Sequence, residues 1–195
     1  TKLKGQIRIS GSKNASLPIL AATLLSDKKI SLTNLPRVKD VETMIKLLES
    51  MGSKVKVSKN KNSLVIQNNK KIKTEASYNL MSTMRAGIIV MGPLLARFGK
   101  ARVSNPGGCN IGFRPIDIHL DGLKKMGVKY KIVDGYINAI VKNGLKGAKI
   151  KFPKISVGAT ENLMIAACLA KGQTTLINCA IEPEIKDLSN FLCSI

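Results

Sequence analysis

Three stretches of the sequence repeat one order of elements: an apolar helix, a short strand, a proline-containing loop and an amphipathic helix. The apolar helices are predicted at residues 15–25, 86–96 and 162–170, and no charged side chain interrupts them. A helix that is apolar on every side must be buried all round. Because one chain contains three such helices, each repeat buries its helix against the others. The sequence therefore predicts three helices at the centre of one domain.

The elements around the apolar helices predict the outer layers of the same domain. Each strand ends in asparagine, and each amphipathic helix has one apolar face that can cover an inner layer. The strands are predicted at 30–34, 101–105 and 174–178, the amphipathic helices at 41–51, 116–126 and from 185 onwards, and hairpins at 54–66 and 129–141. A doubly wound sheet does not fit, because it needs apolar parallel strands between amphipathic helices. We expect an α/β fold, a pseudo-threefold inside-out α/β barrel, in which residues 1–195 form one domain of three repeats at about 1–75, 76–150 and 151–195, the last of them truncated.

The net charge limits the classes of partner. The chain has 32 Lys and Arg against 12 Asp and Glu, which gives a formal net charge of +20. Such an excess favours anionic partners, among them nucleic acids, acidic lipids and phosphorylated metabolites. Most of it is dispersed lysine, and no basic run is paired with aromatic residues that stack on bases. We expect no nucleic-acid or membrane partner, and a nucleic-acid-binding module is the minor alternative.

Cysteine spacing and hydropathy indicate the compartment. The four cysteines have no CxxC spacing and the chain has one histidine, which argues against a metal site. Cys168, Cys179 and Cys193 lie in apolar stretches and are expected in the core. No uncharged apolar run reaches the length of a membrane span, and no signal peptide is visible. We expect a cytoplasmic protein without a cofactor.

A glycine-rich segment at 104–119 is the first candidate for a functional loop. It contains Gly107, Gly108 and Gly112 around Cys109, and Arg114 follows five residues after the cysteine. Glycine permits close approach of the backbone to a ligand, and a nearby cation favours the reactive thiolate. The pattern predicts a mobile or ligand-contacting loop, and a plain glycine-rich turn with a half-buried thiol is the alternative.

Two cations at helix starts are the second candidate. Lys13 and Arg85 precede the first two apolar helices at matching positions, whereas Glu161 precedes the third. A cation at a helix N-terminus opposes the helix dipole, so the pair predicts a phosphate or carboxylate held there. Nearby polar residues have plainer alternatives. Asn14 starts a helix or contacts a sugar, Asp117 caps a helix, His119 lies in the first turn of a helix, and the 156–158 segment binds phosphate or forms a turn.

Longer motifs resemble those of the UDP-N-acetylglucosamine enolpyruvyl transferases, enzymes of the first committed step of peptidoglycan synthesis. They are Ile-Ser-Gly-Ser-Lys-Asn-Ala at 9–15, Leu-Pro at 35–36, Asp-Val at 40–41, Met-Arg-Ala at 84–86, Gly-Pro-Leu-Leu-Ala-Arg at 92–97 and Pro-Gly-Gly-Cys-Asn-Ile-Gly-Phe-Arg-Pro at 106–115. The resemblance covers nearly the whole chain but only the first half of the family's two domains. It implies that a C-terminal domain is missing, and with it the catalytic aspartate and a phosphate-binding arginine.

The resemblance also implies the substrates, phosphoenolpyruvate and UDP-N-acetylglucosamine, and a role for each site residue. Lys13, Arg85 and Arg114 would hold phosphoenolpyruvate, and Cys109 would form an adduct with it and react with fosfomycin. Asn14 would contact the sugar. Arg114, Pro115, Ile116, Asp117 and Ile118 would line the uridine site, with Lys154, Ser156, Val157 and Gly158 near the uracil and diphosphate. Phe113 departs from the small residue usual in the family.

Three alternatives to this assignment remain open. The sister enzyme, 3-phosphoshikimate 1-carboxyvinyltransferase, shares the fold and the chemistry, although Cys109 and the 115–117 segment argue against it. A non-catalytic remnant that binds a UDP-sugar is the second, and the nucleic-acid-binding module is the third. Under the enolpyruvyl transferase assignment, the chain as given is expected to be inactive alone.

Overall fold

The computed structural model describes residues 2, 4–104 and 116–195. The α helices of this part are α1 (Lys13–Ala22), α2 (Lys39–Ser50), α3 (Tyr78–Met81), α4 (Met91–Phe98), α5 (Asp117–Lys125), α6 (Val157–Ala167) and α7 (Pro183–Ser194), and 3₁₀ helices occupy Thr23–Leu25 and Arg85–Val90. The strands are β1 (Lys29–Leu32), β2 (Lys54–Val57), β3 (Leu64–Gln67), β4 (Glu75–Ala76), β5 (Lys100–Ser104), β6 (Lys129–Val133), β7 (Tyr136–Ile140), β8 (Lys149–Lys151) and β9 (Thr175–Ile177). These elements follow the predicted order of three repeats.

The apolar helices lie inside, as predicted. The 3₁₀ helix Arg85–Val90 packs against both α1 and α6, and α4 packs against α6. Side chains of all three repeats are fully buried there, including Leu20, Leu94 and Leu163. Each buried leucine contributes about 1.5–3 kcal/mol relative to an exposed one, so the inner helices account for much of the folding free energy. The amphipathic helices cover them, with α2 and α7 packed on α1 and α5 packed on α6.

The strands form three separate sheets in the part of the chain that the structure describes. The first has the order β1-β3-β2 and is antiparallel, the second has the order β4-β5-β7-β6, and the third pairs β8 with β9. β4 and β5 are parallel, and so are β8 and β9. Parallel neighbours need a crossover connection, and an inner helix supplies it in both cases. The sheets therefore lie outside the helices and do not close into one β-barrel, which agrees with the predicted inside-out arrangement.

Strand ends show the repeat at the level of single residues. Asn34 and Asn178 follow β1 and β9, and both have φ of 56°. Asparagine is one of the few residues that adopt this left-handed conformation at low cost. Gly11 packs against the first of these turns, where a Cβ on the glycine would lie 1.9 Å from the carbonyl oxygen of Asn34. The turn and the glycine together fix the start of α1.

The inner helix of the second repeat differs from the prediction in its winding. Residues 85–90 form a 3₁₀ helix, and α4 begins only at Met91. Gly87, Gly92 and Pro93 all lower α-helix propensity in this stretch, and the proline also lacks the N–H that would bond to the preceding turn. The predicted span is helical throughout, but its first half is wound more tightly.

The inner helix of the third repeat begins five residues before the predicted start, so the prediction was wrong there. Ser156 caps α6, because its Oγ accepts a hydrogen bond of 3.3 Å from the Ala159 N–H. Ser12 caps α1 in the same way through Ala15, also at 3.3 Å. The position equivalent to Lys13 is therefore Val157 and not Glu161. Glu161 lies in the second turn of α6, where its residue is 4% exposed.

Two cysteines contradict the expectation that they lie in the core. Cys168 and Cys193 are exposed and Cys179 is half-buried. Cys168 follows the last residue of α6 and Cys193 lies in the last turn of α7, so both are at helix ends. In the residues that the structure describes, none of the helices combines the length and the hydropathy needed to cross a membrane.

Candidate active site

Lys13 is held at the N-terminus of α1 by a carboxylate from the next helix. Its Nζ lies 3.1 Å from Oδ2 of Asp40, which is in the first turn of α2. Both side chains are nearly half-exposed, so the pair contributes less than about 1 kcal/mol to stability. Its consequence is orientation, because Asp40 restricts the lysine to the end of α1, where the helix also presents unpaired N–H groups.

Asn14 is tied to the last helix of the chain. Its Nδ2 donates a hydrogen bond of 3.4 Å to Oε1 of Glu184, which lies in the first turn of α7. The first residues of α1 therefore receive side chains from both neighbouring amphipathic helices, Asp40 from α2 and Glu184 from α7. Sequence reasoning singled out Lys13 and Asn14 but found neither carboxylate partner.

A buried carboxyl group lies near Glu184. The pKa of Glu161 is raised from 4.5 to about 8. Burial is the largest cause, and the negative charges of Glu184 and Glu182 contribute the rest. None of the described residues gives the Glu161 side chain a hydrogen bond, and a carboxyl buried beside other carboxylates favours its neutral, protonated form. The signal in the sequence is a single charged residue within the otherwise uncharged run of 157–167.

A second group of site residues surrounds His119. The pKa of His119 is lowered from 6.5 to about 4. Burial is the largest cause and the positive charge of Arg85 is the second, while the negative charge of Asp117 partly opposes them. Gly158 is also adjacent, since a Cβ built on it would lie 3.6 Å from both Nε2 and Cε1 of the imidazole. Arg85, Asp117 and Gly158 start three different helices, and the fold brings them together around one histidine.

Asn162 joins this group to the centre of the domain. Its Oδ1 accepts a hydrogen bond of 2.7 Å from the Gly92 N–H, and its Nδ2 lies 3.0 Å from Nδ1 of His119. All of these groups are buried. A Cβ on Gly92 would lie 2.4 Å from Oδ1 of Asn162, so α4 and α6 approach closely only because residue 92 is glycine. The asparagine therefore links α4, α5 and α6.

A cleft opens on the other side of α5. It has a volume of about 390 Å³ and lies between α5 and β8, with Ile118 and Phe152 among its apolar walls and Lys124, Lys125 and Lys151 among its basic ones. Lys154 is exposed and follows Pro153, which also lines the cleft. Apolar walls with cationic residues around them suit a planar ring that carries a phosphorylated substituent.

The predicted site residues that the structure describes lie mostly at the N-terminal ends of helices. Others fall outside the described residues. Ser156, Val157 and Gly158 cap and begin α6, Asp117 begins α5, and Ile116 is the residue before it. Cys109, Phe113, Arg114 and Pro115 lie outside the described residues.

Known proteins are similar to this chain both in sequence and in fold. The model of the family EPSP synthase (3-phosphoshikimate 1-carboxyvinyltransferase) matches residues 1–195. The chain belongs to this family. The UDP-N-acetylglucosamine 1-carboxyvinyltransferase of Pelagibacter ubique is 72% identical over 194 residues, which are 100% of this chain and 46% of that protein. The protein of the same name from Coxiella burnetii is 53% identical over 190 residues, which are 97% of this chain and 44% of that protein.

Solved structures support the same fold. The enolpyruvyl transferase NikO from Streptomyces tendae matches with a TM-score of 0.78 at 18% identity, over 98% of this chain and 44% of that one. EPSP synthase from Acinetobacter baumannii matches with a TM-score of 0.72 at 17% identity, over 93% of this chain and 42% of that one. The predicted fold and the predicted resemblance are confirmed. The chain spans less than half the length of these relatives.

Proposed function

We propose that this chain forms the N-terminal half of an enzyme that transfers the enolpyruvyl group of phosphoenolpyruvate to the 3-hydroxyl of UDP-N-acetylglucosamine and releases phosphate. The observation that carries the proposal is the 72% identity, across the whole chain, to a relative named for this activity. The Coxiella burnetii relative, 53% identical over 97% of this chain, carries the same name, which favours the UDP-sugar over shikimate 3-phosphate as acceptor. The reaction is the first committed step of peptidoglycan synthesis, and we place it in the cytoplasm.

The domain organisation follows from the repeats. Residues 1–195 form one domain, with repeats at about 1–75, 76–150 and 151–195. A C-terminal domain of the same enzyme would close over the substrates and supply the general base. Closure excludes water from the reacting atoms, which strengthens every electrostatic interaction within the site.

Phosphoenolpyruvate would be held by cations at helix starts. Lys13 and Arg85 begin the inner helices of the first two repeats, and Arg114 would complete the set. A helix N-terminus also attracts anions through its dipole and its unpaired N–H groups. Asp40 would keep Lys13 directed at this position, since the two are 3.1 Å apart.

The UDP-sugar would extend from the start of α1 to the cleft beside α5. Asn14 would contact the sugar, and the N-terminus of α6 at Ser156, Val157 and Gly158 would accept the diphosphate. Arg114, Pro115, Ile116, Asp117 and Ile118 would line the uridine site, with Lys154 near the uracil. Ile118 lines the cleft and Lys154 follows Pro153 at its edge, which supports this direction.

The chemistry requires charge stabilisation rather than a cofactor. The sugar hydroxyl adds to C2 of phosphoenolpyruvate while C3 gains a proton, and phosphate then leaves from the tetrahedral intermediate. Fixed cations stabilise the phosphate in both steps. Cys109 would form an adduct with phosphoenolpyruvate from the glycine-rich loop, so an alkylating agent that reaches it would block the site.

The test is phosphate release from phosphoenolpyruvate by the protein encoded when the reading frame is extended to its natural stop. UDP-N-acetylglucosamine and shikimate 3-phosphate are offered separately, with and without prior fosfomycin. Lys13→Met is compared with Lys28→Met, because Lys28 is exposed and lies beyond the opposite end of the same inner helix.

We expect release with the UDP-sugar alone, its loss after fosfomycin, and a large loss of activity only in Lys13→Met. Release with shikimate 3-phosphate alone would overturn the acceptor. No release with either acceptor, together with retained binding of the UDP-sugar, would show a binding remnant.

A further inference from the structure

The two ring nitrogens of His119 differ, because only Nδ1 has a hydrogen-bond partner among the described residues. The residue is 6% exposed, and its Nδ1 lies 3.0 Å from Nδ2 of Asn162. Nε2 has no hydrogen-bond partner among the described residues. Nε2 is not among the fully buried unpaired atoms of the described residues, so it keeps access to solvent or to a ligand although the ring as a whole is buried.

The hydrogen bond from Gly92 decides which nitrogen of the ring carries the proton. Since the Gly92 N–H can only donate, the atom of Asn162 that faces it at 2.7 Å must be the oxygen. The amide nitrogen of Asn162 therefore faces His119 and donates to Nδ1. An Nδ1 that accepts carries no proton, so the neutral ring carries its hydrogen on Nε2.

The surroundings keep the ring neutral at physiological pH. Burial and the charge of Arg85 lower the pKa of His119 to about 4, and Asp117 offsets this only in part. The imidazole therefore stays neutral near pH 7, with one N–H donor and no second proton.

Nε2 lies beside the first turn of α6. A Cβ built on Gly158 would be 3.6 Å from both Nε2 and Cε1, and Nε2 is on the side of the ring away from the Nδ1 that faces Asn162. The Ala159 N–H is satisfied by Ser156 Oγ, and the Thr160 N–H by the Ser156 carbonyl at 3.0 Å. The N–H groups of Val157 and Gly158 have no acceptor among the described residues. Three donors without an acceptor among the described residues therefore lie near the N-terminus of one eleven-residue helix.

We propose that His119 donates its Nε2–H to the diphosphate of the nucleotide sugar, together with the N–H groups of Val157 and Gly158. Asn162 is the positioning residue that fixes the donating tautomer from the centre of the domain. The inference rests on the proposed function for the class of ligand, but it assigns to His119 and Asn162 roles that the resemblance does not. No proton is transferred, since the donor stays neutral.

The first experiment uses the fact that the 195-residue chain has a single histidine. A long-range proton–nitrogen NMR spectrum of the imidazole then contains one pair of nitrogen signals, which report the tautomer directly. We expect the proton on Nε2, and we expect the Nε2 signal to move when UDP is added. A proton on Nδ1, or UDP binding that leaves Nε2 unmoved, would overturn the inference. Absence of any UDP binding would instead count against the proposed function.

The second experiment compares two variants, each of which reproduces the hydrogen-bonding group of one ring nitrogen. The amide oxygen of asparagine reaches the place of Nδ1, so His119→Asn preserves the acceptor for Asn162 and removes the donor at Nε2. The longer glutamine places an N–H near Nε2, so His119→Gln keeps the donor. Dissociation constants for UDP and for uridine are measured by calorimetry.

We expect His119→Asn to weaken UDP binding about tenfold, the effect of losing one hydrogen bond to a charged group, and to leave uridine binding unchanged. His119→Gln should bind UDP more tightly than His119→Asn. Equal weakening of UDP and uridine by His119→Asn is the result of a purely structural role and would refute the proposal. If His119→Asn does not fold, the tautomer of the parent and the response of its Nε2 signal to UDP still decide between the two roles.

Discussion

Replacing Glu161 with glutamine should stabilise this chain, and the gain should grow with pH. The pKa of Glu161 is raised from 4.5 to about 8 in the folded chain, first by burial and then by Glu184 and Glu182. The folded state therefore holds a proton that the unfolded state releases above pH 4.5. Folding stability is fully present below the unfolded pKa and falls as the pH rises towards 8, because the native state binds more protons than the unfolded state.

The magnitude follows from the interval between the two pKa values. One pKa unit corresponds to about 1.4 kcal/mol, and pH 7 lies roughly 2.5 units above the unfolded value, so the carboxyl costs about 3 kcal/mol at pH 7 relative to pH 4.5. Glutamine cannot ionise and avoids this cost. It also fits the same space, since the amide is nearly isosteric with the protonated carboxyl group.

The assay is urea unfolding of the 195-residue chain at several values between pH 4.5 and 8, for the parent and for Glu161→Gln. The matched control is Glu49→Gln, the same chemical change at an exposed position near the end of α2. We expect the free energy of unfolding of Glu161→Gln to exceed that of the parent by an amount that rises by about 3 kcal/mol from pH 4.5 to 7. The curve for Glu49→Gln should stay parallel to that of the parent. A difference for Glu161→Gln that does not change with pH would refute the argument that this carboxyl is protonated.

Three further results are expected. Asn162→Ala should lower the free energy of unfolding by about 2–3 kcal/mol, because it leaves the Gly92 N–H without an acceptor. The control Asn190→Ala, at an exposed position, should change it little, and equal effects of the two variants would contradict the prediction. Gly92→Ala should lower the free energy of unfolding by about 2 kcal/mol or more, because the new Cβ would lie 2.4 Å from Oδ1 of Asn162. A melting temperature equal to that of the parent would show that α4 and α6 can move apart to accommodate it. Ser156→Ala should lower the free energy of unfolding by about 1 kcal/mol, because α6 loses its N-terminal cap. The midpoint of urea unfolding measures this, and an unchanged midpoint would mean that water replaces the cap.

A last prediction concerns the activity of this chain without a second domain. The 195-residue chain by itself should release negligible phosphate from phosphoenolpyruvate, because the general base would come from a second domain. Sustained release by this chain alone, in the assay described above, would contradict that assignment.

The sequence by itself determined the repeat, the inner position of the apolar helices and the family. The reason is that apolar runs and cap residues act within a few positions, so Leu20 and Leu94 could be placed in the core from local pattern alone. The matching of Lys13 with Arg85 was also visible, because both begin an inner helix. The start of the third inner helix was missed, because Val157 and Gly158 are weak helix formers and the cap at Ser156 outweighs them.

Only the tertiary structure decided which polar groups meet. Asn162 reaches Gly92 across 70 positions and His119 across 43, and Asn14 reaches Glu184 across 170. No periodicity or local motif encodes such pairs, because each depends on how helices from different repeats pack. The same packing removes water from Glu161 and His119, and burial is the largest cause of both pKa shifts. The local pattern of side chains therefore specified the helices and strands, while the packing between repeats set the charge and hydrogen bonding of the candidate site.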